Sequence, residues 1–183
     1  MKRRILGYVA VMVTVICLCA APSFAADNYK IGVGYQGMFA GNMLNGLSVR
    51  GWVGPNTAIG VEGNIFYGAA KFEPNGGTDI DADLWMVEIK AMYAFLVRTN
   101  SRFYAGAKFA YGQYSVDPVD FKGTVYIPGI LVGAEWNFPS LPEVGFNFDV
   151  GYNYILNKNE VNGNDVDLKL HGINVAAGIK YYF

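Results

Sequence analysis

Leu168–Phe183 reads LKLHGINVAAGIKYYF, and its alternation decides the fold of the whole chain. Counting back from the terminal aromatic residue, one face is apolar and the other is small or polar. The apolar face holds Ile173, Val175, Ala177, Ile179, Tyr181 and Phe183, and the other holds Gly172, Asn174, Ala176, Gly178, Lys180 and Tyr182. This two-residue period predicts a β-strand. An apolar face that continues to the last residue favours a strand with lipid outside and a polar lumen inside.

Seven earlier segments repeat the alternation. The predicted strands are Tyr29–Phe39, Asn45–Val53, Ala58–Gly68, Leu84–Leu96, Phe103–Gln113, Thr124–Phe138 and Val144–Tyr154, followed by Leu168–Phe183. Their lengths suit tilted strands that cross a membrane, and helical periodicity appears nowhere after residue 25. Because open sheet edges cannot sit in lipid, the pattern predicts an all-β, eight-stranded antiparallel up-and-down transmembrane barrel.

The connections alternate between short and longer. The short ones are Gly54–Thr57, Val97–Arg102 and Pro139–Glu143, and the others are Ala40–Leu44, Ala69–Asp83, Tyr114–Gly123 and Ile155–Asp167. This alternation is typical of barrels with periplasmic turns and outer loops, and it places both termini in the periplasm. Pro128 interrupts the sixth strand, where no sheet edge can accept its missing N–H, so we expect a bulge beside Gly129.

The first 25 residues predict a secretory signal peptide. Lys2, Arg3 and Arg4 precede an apolar run, and the small residues Ser23 and Ala25 favour cleavage after Ala25. A retained membrane anchor is the alternative, but the run is short for a spanning helix. Lipidation is not expected, because Leu18 rather than a small residue precedes Cys19.

Residues 26–183 are then one exported domain without cysteine. Loss of the three basic residues changes the formal net charge from −1 to −4. This charge disfavours a nucleic-acid-binding function.

A chain with these features resembles the small eight-stranded outer-membrane barrels, the group of the OmpA barrel domain and the OmpX-like proteins. The specific parts are the aromatic residues near strand ends and the series Ile179, Tyr181 and Phe183, which is similar to the signal that the barrel-assembly machinery recognises. The resemblance implies a monomer in the outer membrane of a Gram-negative bacterium, in contact with outer-membrane lipid and lipopolysaccharide, and without a cofactor. Such a resemblance fixes fold better than function.

Charged residues at inward positions are the main candidate functional feature. They are four cations, Arg50, Lys90, Lys108 and Lys180, and four anions, Glu62, Glu88, Glu135 and Asp149. Because an eight-stranded barrel is just wide enough for side chains to fill, we expect these charges to pair in one layer and plug the lumen. The alternative is a narrow channel in which the same charges line a conduction path.

A catalytic or metal site has weaker support. His171 is the one histidine, it has outward parity, and its same-face neighbours Lys169 and Ile173 offer no hydroxyl, so a lipid-modifying rim enzyme is disfavoured.

Acidic residues concentrate in the outer loops: Glu73, Asp79, Asp81, Asp83, Asp117, Asp120, Glu160, Asp165 and Asp167. Leu84 and Lys90 occupy the sixth and twelfth positions of a calcium loop starting at Asp79, which excludes an EF-hand. We expect a solvated acidic surface that supports a structural or surface-interaction role.

A soluble eight-stranded barrel of the lipocalin type is the remaining alternative. Its parity would be inverted, with the aromatic residues inside and the charges outside. The residues that would move inside are Tyr35, Trp85, Tyr93, Phe109, Trp136, Phe148 and Tyr181. The signal peptide and the terminal aromatic residue favour the membrane barrel.

Overall fold

The computed structural model describes residues 30–40, 42–73, 79–117, 121–161 and 164–183. These residues form eight strands: β1 Lys30–Ala40, β2 Asn42–Val53, β3 Ile59–Phe72, β4 Ile80–Arg98, β5 Ser101–Asp117, β6 Phe121–Phe138, β7 Leu141–Val161 and β8 Asn164–Tyr182. Each strand pairs antiparallel with the next, and β8 pairs with β1 to close the barrel. The predicted fold class is confirmed. The predicted signal peptide lies outside the described residues.

Among the described residues, no helix is long and apolar enough to cross a membrane.

One end of the barrel, here called the turn end, carries the three short connections. A single 3-10 turn, Pro55–Thr57, joins β2 to β3, and Gly54 enters it with a φ of 82° that glycine adopts without steric cost. Two-residue turns join β4 to β5 at Thr99 and Asn100, and β6 to β7 at Pro139 and Ser140.

The opposite end, here called the hairpin end, differs from the sequence prediction. The segments Ala69–Asp83, Tyr114–Gly123 and Ile155–Asp167 were expected to be loops, yet most of their described residues continue β3 to β8. Cross-strand pairs such as Lys71 with Asp81 extend the ladder beyond the apolar alternation. Residues 74–78, 118–120 and 162–163 of these segments lie outside the described residues.

The two faces of the sheet follow the predicted parity. Outward aromatic side chains are exposed, with Tyr93 at 61% and Phe109 at 46%, whereas the inward charged side chains are buried. The inverted, lipocalin-like arrangement is therefore wrong. One irregularity occurs in β4, where the register shifts between Ala94 and Leu96, so that Phe95 and Leu96 both face outward.

Pro128 does not form the predicted bulge. Ladder pairs between β6 and β7 stop at Tyr126–Leu156 and resume at Gly129–Asn153 with an unchanged register. The pairing of Pro128 with Phe109 on β5 is intact. The missing N–H is therefore accommodated by an interrupted ladder on one side rather than by an inserted residue.

Candidate functional site

All eight inward charges that the sequence identifies are buried, and the structure brings them together in one ion-pair network. Lys90 lies at its centre. Its Nζ is 2.8 Å from Glu62 Oε1, 2.7 Å from Asp149 Oδ2 and 3.6 Å from Glu88 Oε1. Glu88 lies on β4 beside Lys90, whereas Glu62 lies on the neighbouring β3 and Asp149 on β7 across the lumen. One ammonium group thus links carboxylates from three strands.

Arg50 and Glu135 connect this centre to the turn end. Arg50 Nε donates to Glu62 Oε2, and Arg50 Nη1 donates to Glu135 Oε2 at 2.8 Å. Glu135 also accepts hydrogen bonds from Trp52 Nε1 at 3.2 Å and from the Tyr182 hydroxyl at 2.5 Å. A carboxylate with several donors is well satisfied despite its burial.

Arg102 is a ninth member that the sequence prediction missed. Its Nη1 donates to Glu135 Oε1 at 2.9 Å, and its guanidinium lies 5.0 Å from the centroid of the Trp52 ring. Arg102 had been assigned to a turn, but β5 begins at Ser101, and Arg102 shares the inward parity of Tyr104. The expected balance of four cations against four anions is therefore wrong, and the layer contains five cations and four anions among the described residues.

Lys108 and Lys180 occupy the remaining sides of the layer. Lys108 Nζ is 3.2 Å from Glu88 Oε2. Lys180 Nζ is 3.3 Å from Glu62 Oε2 and donates to Gln36 Oε1 at 2.9 Å and to Asn147 Oδ1 at 2.8 Å. Lys108 is thus paired with a carboxylate, whereas Lys180 contacts a carboxylate and two amide oxygens.

Two apolar clusters enclose the charged layer. The cluster on the turn side contains Trp52, Met92, Ala94, Tyr104, Leu131 and Tyr182. The cluster on the hairpin side contains Met38, Phe66, Met86 and Ala110, with Leu44 and Ile127 packed against it. An ion path along the barrel axis would have to pass both apolar clusters and the paired charge layer.

Inward glycines provide the space that the largest side chains fill. A Cβ atom at Gly60 would lie 2.6 Å from the Trp52 ring, and one at Gly145 would lie 2.7 Å from the Tyr182 ring. The sequence shows these glycines only as small residues on the polar face. That these glycines leave space for aromatic rings depends on the strand register, which one sequence does not reveal.

His171 lies on the outer surface of β8, as its parity predicts. Its Nδ1 is 2.5 Å from the Tyr152 hydroxyl, and its ring stacks on Tyr154 at a centroid distance of 6.5 Å. Tyr152 is a hydroxyl partner that sequence spacing could not identify, because it comes from β7.

The three carboxyl-terminal candidates share the outer surface at the turn end. Ile179, Tyr181 and Phe183 are 41%, 56% and 56% exposed. The backbone N–H of Phe183 donates to the Ile31 carbonyl at 3.0 Å, which ties the end of the chain to β1.

Charges on the outer surface of the hairpin end are distributed unevenly. On β3 to β5, Lys71 Nζ is 2.6 Å from Glu73 and 3.0 Å from Asp79, and these hydrogen bonds raise the pKa of Lys71. Asp81 lies directly opposite Asp117 on the neighbouring strand. Among the described side chains of β6 to β8, the exposed charged residues at this end are Lys122, Lys158, Asp167 and Lys169. In the described part of the chain, no group of three or more His, Cys, Asp or Glu side chains could hold a metal ion.

The chain matches one protein family and several solved structures. The model of the outer membrane protein beta-barrel domain family matches residues 11–183. Neisserial surface protein A is 18% identical, with coverage of 87% of this chain and 100% of that one and a TM-score of 0.52. A major outer membrane protein from Thermus thermophilus is 15% identical, with coverage of 85% and 99% and a TM-score of 0.51.

The Yersinia pestis attachment invasion locus protein Ail, in complex with the heparin analogue sucrose octasulfate, is 16% identical. The match covers 85% of this chain and 97% of that one, with a TM-score of 0.50. At such identities the likeness is one of fold. None of the curated proteins matches the chain significantly in sequence.

Proposed function

The chain belongs to the outer membrane protein beta-barrel domain family, and from this premise we propose that it is a sealed barrel whose projecting strands act at the cell surface. Its turn end faces the periplasm and its hairpin end faces outward, the usual orientation of such barrels. Membership in the family confirms the resemblance inferred from the sequence and indicates the bacterial outer membrane as its location.

The packing of the barrel interior is the observation that carries this proposal. Lys90 reaches Asp149 from the opposite wall, and apolar clusters cover the charged layer on both sides. A transport path would require these groups to separate, leaving buried charges unpaired at considerable cost. The supported function therefore belongs to the outer surface and the hairpin end rather than to the lumen.

Strand length supports the same conclusion. β7 has 21 residues and β8 has 19. At about 3.3 Å per residue and a tilt of about 40°, β7 spans ~50 Å, twice the ~25 Å apolar band of a barrel. Roughly half of the longest strands therefore stands above the membrane, where it can meet other molecules.

Conductance in planar lipid bilayers tests the proposal. The barrel of residues 26–183 is refolded, its folding is verified by a heat-dependent gel shift, and it is compared with a Glu88→Gln, Lys90→Gln double variant. We expect no discrete conductance steps from the unmodified barrel. Steps that change in the double variant would instead assign the charged layer to a narrow channel and overturn the sealed-barrel function.

Lipopolysaccharide is the proposed membrane partner, and the basic part of the outer surface supports this. Lys158 on β7 and Lys169 on β8 lie on neighbouring strands and have outward parity. Lys158 pairs with Thr124 and Lys169 pairs with Leu156, so both lie farther from the turn end than His171. Lysine ammonium groups at the height of lipid headgroups attract anionic phosphates. The phosphates of lipopolysaccharide are therefore expected to bind on the β6–β8 side.

Native mass spectrometry of the folded barrel with purified lipid A tests this partner. We expect Lys158→Gln, Lys169→Gln to lower lipid A occupancy several-fold, whereas Lys71→Gln on the acidic side serves as the matched control. An equal loss of lipid A occupancy in both variants would argue against a phosphate-binding site on the β6–β8 side.

The carboxyl-terminal series is proposed to be the part that the barrel-assembly machinery recognises. Ile179, Tyr181 and Phe183 support this because they form a continuous exposed apolar face at the turn end. Phe183→Ala should reduce the amount of barrel inserted in cells but not its refolding into detergent. Equal reductions in both measurements would indicate a structural effect instead.

A further inference from the structure

Two grooves indent the outer surface of the barrel near the turn end. The first, here called the β3–β4 groove, has a volume of about 650 Å³, and the second, here called the β5–β7 groove, has a volume of about 340 Å³. Phe95 on β4 lines both grooves and is 62% exposed. The grooves are therefore neighbours, and one protruding phenyl ring separates them.

The β3–β4 groove exists because β4 extends beyond the start of β3. Ladder pairs between these strands end at Ile59–Tyr93, whereas β4 continues to Arg98. Within the described chain, Phe95–Arg98 has no strand beside it on the β3 side. The shifted register of β4 turns both Phe95 and Leu96 outward, so two successive apolar side chains border the groove.

The turn between β2 and β3 leaves this space open. Thr57 Oγ1 accepts a hydrogen bond of 3.1 Å from Arg102 Nη2. Arg102 has inward parity on β5, the strand beyond β4. The bond therefore draws the turn across the inner side of β4, and the outer side of Phe95 and Leu96 stays uncovered.

The β3–β4 groove is apolar at lipid depth and polar toward the turn. Ile59, Tyr93 and Leu96 line its apolar part, and Asn56 lines it at the turn. Arg98 follows Leu96 by two residues on the same face and is exposed. Within the described chain Arg98 forms no salt bridge, so its guanidinium is available to an anion.

The β5–β7 groove forms over a small residue. Ala134 on β6 pairs with Phe103 on β5 and with Phe148 on β7, so a phenyl ring stands on each side of its methyl group. Val132 and Val150, which pair with each other, border the groove on the side away from the turn end. This groove is lined by outward apolar side chains.

Both grooves lie in the half of the membrane next to the turn end. Phe95 precedes the last residue of β4 by three positions, and Ala134 precedes the last residue of β6 by four. At about 3.3 Å per residue and a tilt of about 40°, these positions lie ~8–10 Å from the strand ends. Since the apolar band of a barrel is ~25 Å tall, the grooves face the periplasmic leaflet.

We propose that the two grooves bind one phospholipid of the periplasmic leaflet, with one acyl chain in each groove and the phosphate group at Arg98. Apolar grooves on either side of Phe95 match a ligand whose two chains are joined at one end. Arg98 lies at the end of β4, where the headgroups begin, and a guanidinium group is well suited to bind phosphate. The proposal goes beyond the surface role proposed above and shares only its orientation of the barrel.

Three lipids with the same acyl chains test the proposal. They are phosphatidylglycerol, its single-chain lyso form, and diacylglycerol, and native mass spectrometry measures how much of each the folded barrel retains after release from detergent. We expect at least about tenfold less retention of the lyso form, because burial of one chain is lost. Diacylglycerol should be retained about fivefold less, because it offers no phosphate to Arg98.

A pair of alanine variants tests the position of the acyl chain. Ala134→Leu fills the β5–β7 groove, whereas Ala107→Leu adds the same side chain to the outer surface of β5, where residue 107 pairs with Ala91 and Ile130 and lines neither groove. Retention of phosphatidylglycerol should fall about tenfold in Ala134→Leu and stay unchanged in Ala107→Leu. A heat-dependent gel shift verifies that both variants are folded.

A pair of charge variants tests the position of the phosphate group. Arg98→Gln should lower retention of phosphatidylglycerol about fivefold and leave diacylglycerol unchanged. Lys71→Gln removes one exposed cation at the hairpin end and is the matched control, for which we expect no change with either lipid.

Several results would overturn the proposal: equal retention of phosphatidylglycerol and its lyso form, equal losses in the two alanine variants, or an effect of Arg98→Gln that is absent or shared by Lys71→Gln. Self-association of the barrel that Ala134→Leu abolishes would identify a second copy as the occupant and reject the lipid. The bilayer measurement is independent. A silent barrel without the expected lipid selectivity would reject this site alone, and a conducting barrel with that selectivity would reject only the sealed lumen.

Discussion

Lys90 Nζ lies 2.7 Å from Asp149 Oδ2, although the two residues belong to β4 and β7 on opposite walls of the barrel. The same ammonium group is 2.8 Å from Glu62 on the neighbouring β3. The interior of an eight-stranded barrel is just wide enough for side chains to meet across it. The charges therefore connect opposite walls of the barrel across its interior.

Replacing Lys90 should destabilise the barrel strongly. Lys90→Met removes the cation shared by Glu62, Glu88 and Asp149 and leaves buried carboxylates that are only partly compensated. Loss of one partner from a buried ionic network typically costs about 3–5 kcal/mol. Urea unfolding of the barrel in lipid vesicles, followed by tryptophan fluorescence, measures the difference.

Lys71→Met is the matched control for that measurement. Lys71 also contacts two carboxylates, Glu73 and Asp79, but its side chain is 51% exposed. Exposed ion pairs contribute little to stability because solvent screens them, so little change is expected. Comparable losses in the two variants would show that burial of the network does not govern its stability.

Gly60→Ala should destabilise the turn end. A Cβ atom at position 60 would lie 2.6 Å from the Trp52 ring, which packs against Tyr104 at a centroid distance of 5.5 Å. Overpacking of this kind costs about 1–3 kcal/mol. Gly63→Ala on the same strand is the control, because no atom would lie within 4 Å of its Cβ. Equal unfolding free energies for the two variants would contradict close packing of the Trp52 ring against position 60.

Pro128→Thr should stabilise the barrel. The ladder between β6 and β7 is interrupted beside Pro128 without a change of register, so a residue with an N–H can restore pairing opposite Tyr154. One additional hydrogen bond contributes about 0.5–1.5 kcal/mol. Slower amide exchange around position 128 would accompany the gain, and unchanged exchange would show that the gap has another cause.

The alternation seen at Ile179, Tyr181 and Phe183 recurs in seven earlier segments and predicted the membrane barrel, because lipid favours apolar residues at outward positions. The buried charges were identified for the complementary reason: inward parity places a residue such as Lys90 or Asp149 in the lumen whatever its partner. Both inferences depend only on the order of residues along one strand.

Features that depend on the pairing between strands were not predictable in the same way. The contact of Tyr152 with His171 joins β7 to β8, and the bulge that turns Leu96 outward arises between β4 and β5. Above the membrane both faces of a strand meet water, so the apolar alternation ends although pairing continues. The projecting parts of β7 and β8 consequently resembled loops in the sequence.

His171→Ala should leave the lipids of the outer membrane unchanged. The His171 imidazole is engaged by the Tyr152 hydroxyl at 2.5 Å and by stacking on Tyr154, whereas a hydrolytic site requires a base that activates a nucleophile and is itself oriented by a third group. Mass spectrometry of lipid A and phospholipids from cells that overproduce either protein checks this expectation. Tyr152→Phe removes the hydroxyl partner and should be equally silent. An acylation or deacylation product that appears with the unmodified chain and disappears in both variants would identify this surface pair as a catalytic site and reverse the assignment.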